Sequence, residues 1–171
     1  MRIFKHFYYL IEIFILVFLK KSNNFIIITP RLISLIFKKV LIFNIINKKF
    51  FIQNVRNFYD INTVFQIFGY EEYNLNRFIV KYKFFTKYLK SKKKLLIIDC
   101  GSNIGSSTRY FKEMFDRSKI VAIEPEKNNL QLSKFNISSN DVEFINNAVS
   151  STKKTFILEK ARIQELTQLI I

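Results

Sequence analysis

LLIIDCGSNIG, residues Leu95 to Gly105, places a short unbroken apolar run in front of an acid and two closely spaced glycines. Leu95, Leu96, Ile97 and Ile98 form the run, Asp99 closes it, and a turn carrying Gly101 and Gly105 leads into a segment of helical spacing. That order is strand, tight loop, helix. The chain holds only three glycines in 171 residues, so two of them at the end of its best buried-strand candidate point to a backbone need. The need is positive φ, or close approach of another molecule. In a parallel α/β sheet, ligands sit outside the carboxyl ends of the strands, where a helix N-terminus offers free N–H groups. Asp99 and the loop after it occupy that position.

Reading onward, Ser106 to Asp116 has Tyr110, Phe111, Met114 and Phe115 at helical spacing, a stripe expected to pack on the sheet. Lys119 to Ile123 (KIVAI) is a second buried strand, ended by Glu124 and Pro125. Glu124 follows Asp99 by 25 residues, near the offset of about 20 at which an acidic residue ends the second strand and binds ribose hydroxyls. Glu126 to Ile137 is a second helix with Leu130, Leu132 and Phe135 as its apolar positions. Val142 to Val149 is a third strand candidate, with Asn146, Asn147 and Ala148 at or beyond its carboxyl end. Three strand ends thus direct polar groups at one place.

Reading backward, Asn76 to Lys90 is a basic helix with Phe78, Ile79, Tyr82, Phe85 and Leu89 as its stripe. Phe51 to Arg56 alternates like a strand, Asn57 to Asp60 reads as a turn, and Ile61 to Phe68 as a short helix closed by Gly69. Glu71 and Glu72, adjacent and without a His or Cys beside them, read as a solvated turn. Phe25 to Thr29 is β-like and broken by Pro30; Arg31 to Ile46 resumes helical spacing. Met1 to Leu19 is basic and then apolar, too short an apolar run to span a bilayer and without a cleavage pattern. It reads as an amphipathic or buried helix, with attachment to a membrane surface as the alternative.

Charge divides the chain. Residues 1–94 carry 18 Lys+Arg against 4 Asp+Glu, and residues 95–171 carry 10 against 9. Much of the lysine excess follows the wider dominance of Phe, Ile, Lys, Asn and Tyr, so a solvated basic face is the simpler reading. No DNA- or RNA-binding motif accompanies the charge, which disfavours nucleic acid as a partner. The single cysteine, Cys100, excludes an intramolecular disulfide framework and fits a reducing, cytoplasmic setting. Its place between Asp99 and Gly101 suggests a small residue packed under the loop. One Cys and one His, His6, also speak against a zinc site.

The combination of apolar strand, Asp-x-Gly-x-x-x-Gly, helix, strand, Glu-Pro, helix and strand resembles S-adenosylmethionine-dependent methyltransferases, specifically the FkbM family. IIDCGSNIGSSTRYF, IVAIEPEKNNLQLSKFNI and VEFINNAVS carry the resemblance, and VRNFYDINTVFQIFGYEEY is similar to the segment preceding the core in that family. It covers about Val55 to Ser151. The resemblance implies S-adenosyl-L-methionine as cofactor and a sugar, polyol or other small-molecule hydroxyl as acceptor. It implies that Asp99, Gly101, Ser102, Asn103, Ile104 and Gly105 line the methionine and ribose part. Glu124 would hold the ribose hydroxyls with Pro125 and Glu126 flanking, and Asn147 and Ala148 would lie against the adenine. Asp60, Glu72 and Tyr73 match the upstream pattern as possible contacts. No catalytic base and no metal ligand is indicated.

The expected fold is therefore α/β: a partial Rossmann-like methyltransferase sheet in a three-layer arrangement over residues 95–171. A family-specific segment, 51–94, and a basic, mainly helical arm, 1–50, precede it. The acidic Asp-x-Glu-Gly-like motif of a fourth core strand is missing, and Thr155 to Ile171 carries none. The expectation is a core truncated after its third strand, with the first strand an exposed apolar edge. The alternative function is a non-catalytic remnant or interaction module, attached to a membrane or partner through the basic arm.

Overall fold

A computed structural model describes residues 20–74 and 94–152. The helices expected over Met1 to Leu19 and Asn76 to Lys90, and the tail from Thr155, lie outside the described residues. The rest is a mixed α/β structure with one antiparallel and one parallel sheet.

The antiparallel sheet comes first. Strands β1 (Lys20–Lys21), β2 (Phe25–Ile27), β3 (Lys39–Asn44) and β4 (Lys49–Asn54) pair in sequence order, with helix α1 (Arg31–Phe37) between β2 and β3. The mainly helical arm is thus corrected: within residues 20–50 only α1 is helical. The expected helix from Arg31 to Ile46 stops at Phe37 because Lys38 takes the left-handed conformation, φ 56°, and reverses the chain into β3. Val40, Ile42 and Asn44 then point inward, opposite the inward Phe51 and Gln53 of β4.

Helix α2 (Phe58–Val64) begins at Asn57, whose side chain accepts the Asp60 N–H, and it runs into a π-helical turn, Phe65–Gly69. The expected turn at Asn57 to Asp60 is therefore the cap and first turn of this helix. Val64, Phe65 and Phe68 are buried together, as their spacing predicts. Gly69 is the last residue of the π turn and is not among the glycines with positive φ, so it does not act as a left-handed helix terminator.

The parallel sheet has order β5 (Leu96–Cys100), β6 (Lys119–Ile123), β7 (Val142–Ile145), connected by α3 (Ser106–Met114) and α4 (Lys127–Asn136). Each crossover steps in the same direction, and the right-handed rule then puts both helices on one face. Ile120, Ala122 and Val142 are buried on that face with Ile137, and Ile97, Phe111 and Phe144 pack against them. On the opposite face Leu96 and Ile98 are 64% and 58% exposed. Among the described residues this unit therefore has two layers, where three were expected. Cys100 shares the exposed face and is not packed under the loop.

The two sheets share a core. Tyr110 of α3 is buried against Phe25 and Phe68, with ring centroids 5.4 and 6.0 Å away, and Phe111 and Met114 pack against the same cluster. In α4 the buried positions are Leu130, Ser133 and Asn136, while Phe135 is 74% exposed. Asn136 takes a buried position because it bonds the Asn54 and Ile104 backbone, and Ser133 because only a small residue fits where α4 meets Gly105.

Candidate functional site

The site is built where β5, β6 and β7 end. Asp99, the buried penultimate residue of β5, faces the start of α3, and its Oδ2 accepts from Ser107 Oγ at 2.8 Å and Thr108 Oγ1 at 2.5 Å. The carboxylate thus fixes the first turn of the helix that the loop feeds. Gly101 and Ser102 turn back and donate their N–H groups to the Ile123 carbonyl at 2.8 and 3.0 Å. The loop passes through Gly101 (φ 81°), Asn103 (φ 49°) and Gly105 (φ 83°).

The two glycines serve different ends. A Cβ at Gly101 would meet no atom within 4 Å. A Cβ at Gly105 would meet Ser133 Oγ, with Ile137 Cδ1 at 2.9 Å and Ser133 Cβ at 3.0 Å. Gly105 lets α3 start against α4; Gly101 leaves open space beside the loop. Ile104 is buried in the shared core. Its carbonyl accepts from Gln53 Nε2 at 3.2 Å and Asn136 Nδ2 at 2.9 Å.

Glu124, at the carboxyl end of β6, is buried against this loop. Oε2 accepts the Asn103 N–H at 2.9 Å; Oε1 accepts the Glu126 N–H at 3.0 Å and Asn129 Nδ2 at 3.3 Å. Glu126 caps α4, accepting from the N–H groups of Asn128 and Asn129 at 3.0 and 2.7 Å. Its carboxyl is held below the usual value, led by the Asn128 bond. Asn146, just past β7, donates Nδ2 to the carbonyls of Glu124 and Pro125 at 2.9 Å each. Asn147 is exposed, its Oδ1 accepting the Ala148 N–H at 2.9 Å. Among the described residues no hydrogen bond joins Asn147 or Ala148 to the glycine loop.

The upstream residues divide. Tyr73 packs on Phe111 with ring centroids 5.2 Å apart. Its phenol is held above the ordinary tyrosine value, first by burial and then by the charge of Asp99. Asp60 is buried and takes Arg56 through Nε at 2.9 Å and Nη2 at 3.1 Å. Arg56 Nη2 also donates to Asn129 Oδ1 at 2.6 Å. Asp60 therefore reaches Glu124 only through Arg56 and Asn129. Glu72 is exposed.

Sequence reasoning missed Glu71 and Asn136. Glu71 is not a solvated turn residue: it is buried, and accepts from Asn24 N–H at 2.5 Å, Ser22 Oγ at 2.9 Å and Asn74 Nδ2 at 2.6 Å. Asn136 is also buried. Its Oδ1 accepts the Asn54 N–H at 2.8 Å, and its Nδ2 donates to the carbonyls of Asn54 and Ile104 at 3.1 and 2.9 Å. No local signal marks either, since Ser22 and Asn24, which help bury Glu71, and Asn54 and Ile104, which hold Asn136, lie far away in the chain.

The strand ends keep some hydrogen-bonding capacity unused. A carboxylate offers about four lone-pair positions, and Glu124 uses three of them on the bonds above. Both hydroxyl bonds to Asp99 fall on Oδ2. Ser102 Oγ is buried with no partner among the described residues, the kind of group a polar ligand satisfies. The sequence matches no protein-family model and no curated protein.

Proposed function

We propose that the ends of β5, β6 and β7 form the S-adenosyl-L-methionine crevice of an FkbM-type methyltransferase with a partial Rossmann-like core. The acceptor is a sugar, polyol or other small-molecule hydroxyl, and the setting is the reducing cytoplasm. The observation that carries the reading is the bond from the Asn103 N–H to Glu124 Oε2 at 2.9 Å. It sets the acid of the second parallel strand beside a glycine loop with open space at Gly101. In this reading Glu124 accepts a ribose hydroxyl at the one position its three bonds leave open, and Asp99, Gly101, Ser102 and Asn103 line the nucleoside and methionine. Asn147 and Ala148 lie against the base. Bound there, the cofactor supplies an activated methyl group, so the chain's own work is orientation of an acceptor oxygen in line with it.

The test is isothermal titration of the full chain with S-adenosylhomocysteine, with folding followed by circular dichroism. The wild-type chain is expected to bind, and Glu124→Ala to weaken binding by about ten- to a hundredfold, the worth of one charge-assisted bond to a hydroxyl. A folded sample giving no heat sinks the proposal and leaves a non-catalytic module, in which Asp99 and Glu124 serve only the loop bonds already described.

A further inference from the structure

Among the described residues the antiparallel sheet is apolar on both faces, and only one is accounted for by the core. The inward face carries Phe25, Ile27, Val40, Ile42 and Phe51. By register, Ile26, Phe43 and Phe50 form one row across the outward face, and Leu41 and Ile52 form the next. Phe50 and Ile52 are 63% and 46% exposed, and the Phe43 and Phe50 rings lie 4.7 Å apart. An antiparallel sheet with a solvated face ordinarily alternates apolar and polar residues; this one does not. Helix α1, at the end of the sheet, is inverted in the same sense: Ser34 is buried while Leu32 and Ile36 are 71% and 68% exposed.

Charge identifies what such a face fits. Residues 20–54 contain seven Lys and Arg and no Asp or Glu. Lys21 continues the first row beyond Ile26, Lys39 begins β3, and Lys48 lies in the turn into β4. We propose that this outward face is an interfacial surface that rests on anionic lipid, its aromatic and aliphatic side chains entering the headgroup region and its rim of lysines meeting the phosphates. Nucleic acid would use the lysines and leave the apolar centre without a role. A second copy would bring two lysine-rimmed faces together. The inference is independent of the methyltransferase reading.

The test is co-sedimentation of the full chain with vesicles of mixed phosphatidylglycerol and phosphatidylcholine, and with phosphatidylcholine alone, at low and high salt. Binding to the anionic vesicles, weakened by salt, is expected. Phe50→Ser with Ile52→Ser should lower the partition at least about tenfold, and Lys39→Glu or Lys48→Glu about fivefold or more each. Phe135→Ser, at a still more exposed position but on α4, should leave it unchanged. If the serine pair fails to fold by circular dichroism, the two lysine variants decide alone. The proposal is overturned by absence of binding to anionic vesicles, or by binding indifferent to positions 50, 52, 39 and 48. It is overturned as well by a vesicle-free dimer that the serine pair dissolves.

Discussion

Adding one methyl group to each loop glycine separates conformational strain from packing. Gly101 and Gly105 have nearly the same φ, 81° and 83°, so Gly→Ala meets the same left-handed penalty at both, about 1–2 kcal/mol. A less flexible unfolded chain returns about 0.4–1 kcal/mol of that. At Gly101 nothing lies within 4 Å of the new carbon, and the net loss should be about 1 kcal/mol. At Gly105 the carbon enters Ser133 Oγ and comes within 2.9 Å of Ile137 Cδ1. Overpacking adds about 1–3 kcal/mol, so Gly105→Ala should lose about 3 kcal/mol. With a urea slope of about 2 kcal/mol/M, the two midpoints should differ by about 1 M. Ser133→Ala removes a hydroxyl that has no partner among the described residues and should be nearly neutral alone. Combined with Gly105→Ala it should recover about 1 kcal/mol, a coupling read from the double-mutant cycle. Equal losses for the two glycine variants, or strict additivity with Ser133→Ala, would show that α3 and α4 do not meet at Gly105 as described.

Asn136→Ala removes the side-chain partner of the Asn54 N–H and carbonyl and leaves the Ile104 carbonyl to Gln53 alone, and urea denaturation should report a loss of about 2–4 kcal/mol; a loss below about 1 kcal/mol would argue against a tie between the sheets there. The Glu126 carboxyl is lowered in the folded chain from its ordinary 4.5. Its stabilisation is therefore present above that value and lost as the pH falls below it, toward the folded value. On acidification from about pH 6 to about pH 3.5, Glu126→Gln should lose less of its urea midpoint than the wild-type chain, and parallel curves would remove the carboxylate from its capping role.

The parallel unit was legible because its punctuation is local. Apolar runs end at Asp99 and Glu124, and Gly101, Gly105 and Pro125 mark the turns; strands β5 and β6 and both helices fall where the pattern puts them, within a residue or two. The third strand stops at Ile145, ahead of the expected Val149, where Asn146 turns to bond the Glu124 and Pro125 carbonyls. Strand β3 was illegible for a physical reason. Its outward residues Leu41 and Phe43 are as apolar as its inward Val40 and Ile42, so the period of two vanishes. The reversal before it is made by Lys38, a residue that carries no turn signal. Asp99, Gly101 and Glu124 could be picked out as a set because each closes or opens an element. Glu71 and Asn136 could not, because Ser22 and Asn54 give them their roles from 49 and 82 residues away.

That distance sets a schedule for the nascent chain. The Ile104 carbonyl is held from two directions, by Gln53 and by Asn136, and Asn136 in turn grips the edge of β4. As the polypeptide is made, β4 is complete long before its clamp exists, and the glycine loop emerges with only one of its two anchors. Contacts this far apart carry the entropy of closing a long loop before they return any energy. The crevice should thus be among the last parts of the described structure to set, after α4 has left the ribosome. Until then the buried amides of β4 and the loop are open to other partners, which makes the interval before Asn136 arrives the time when a chaperone has most to protect.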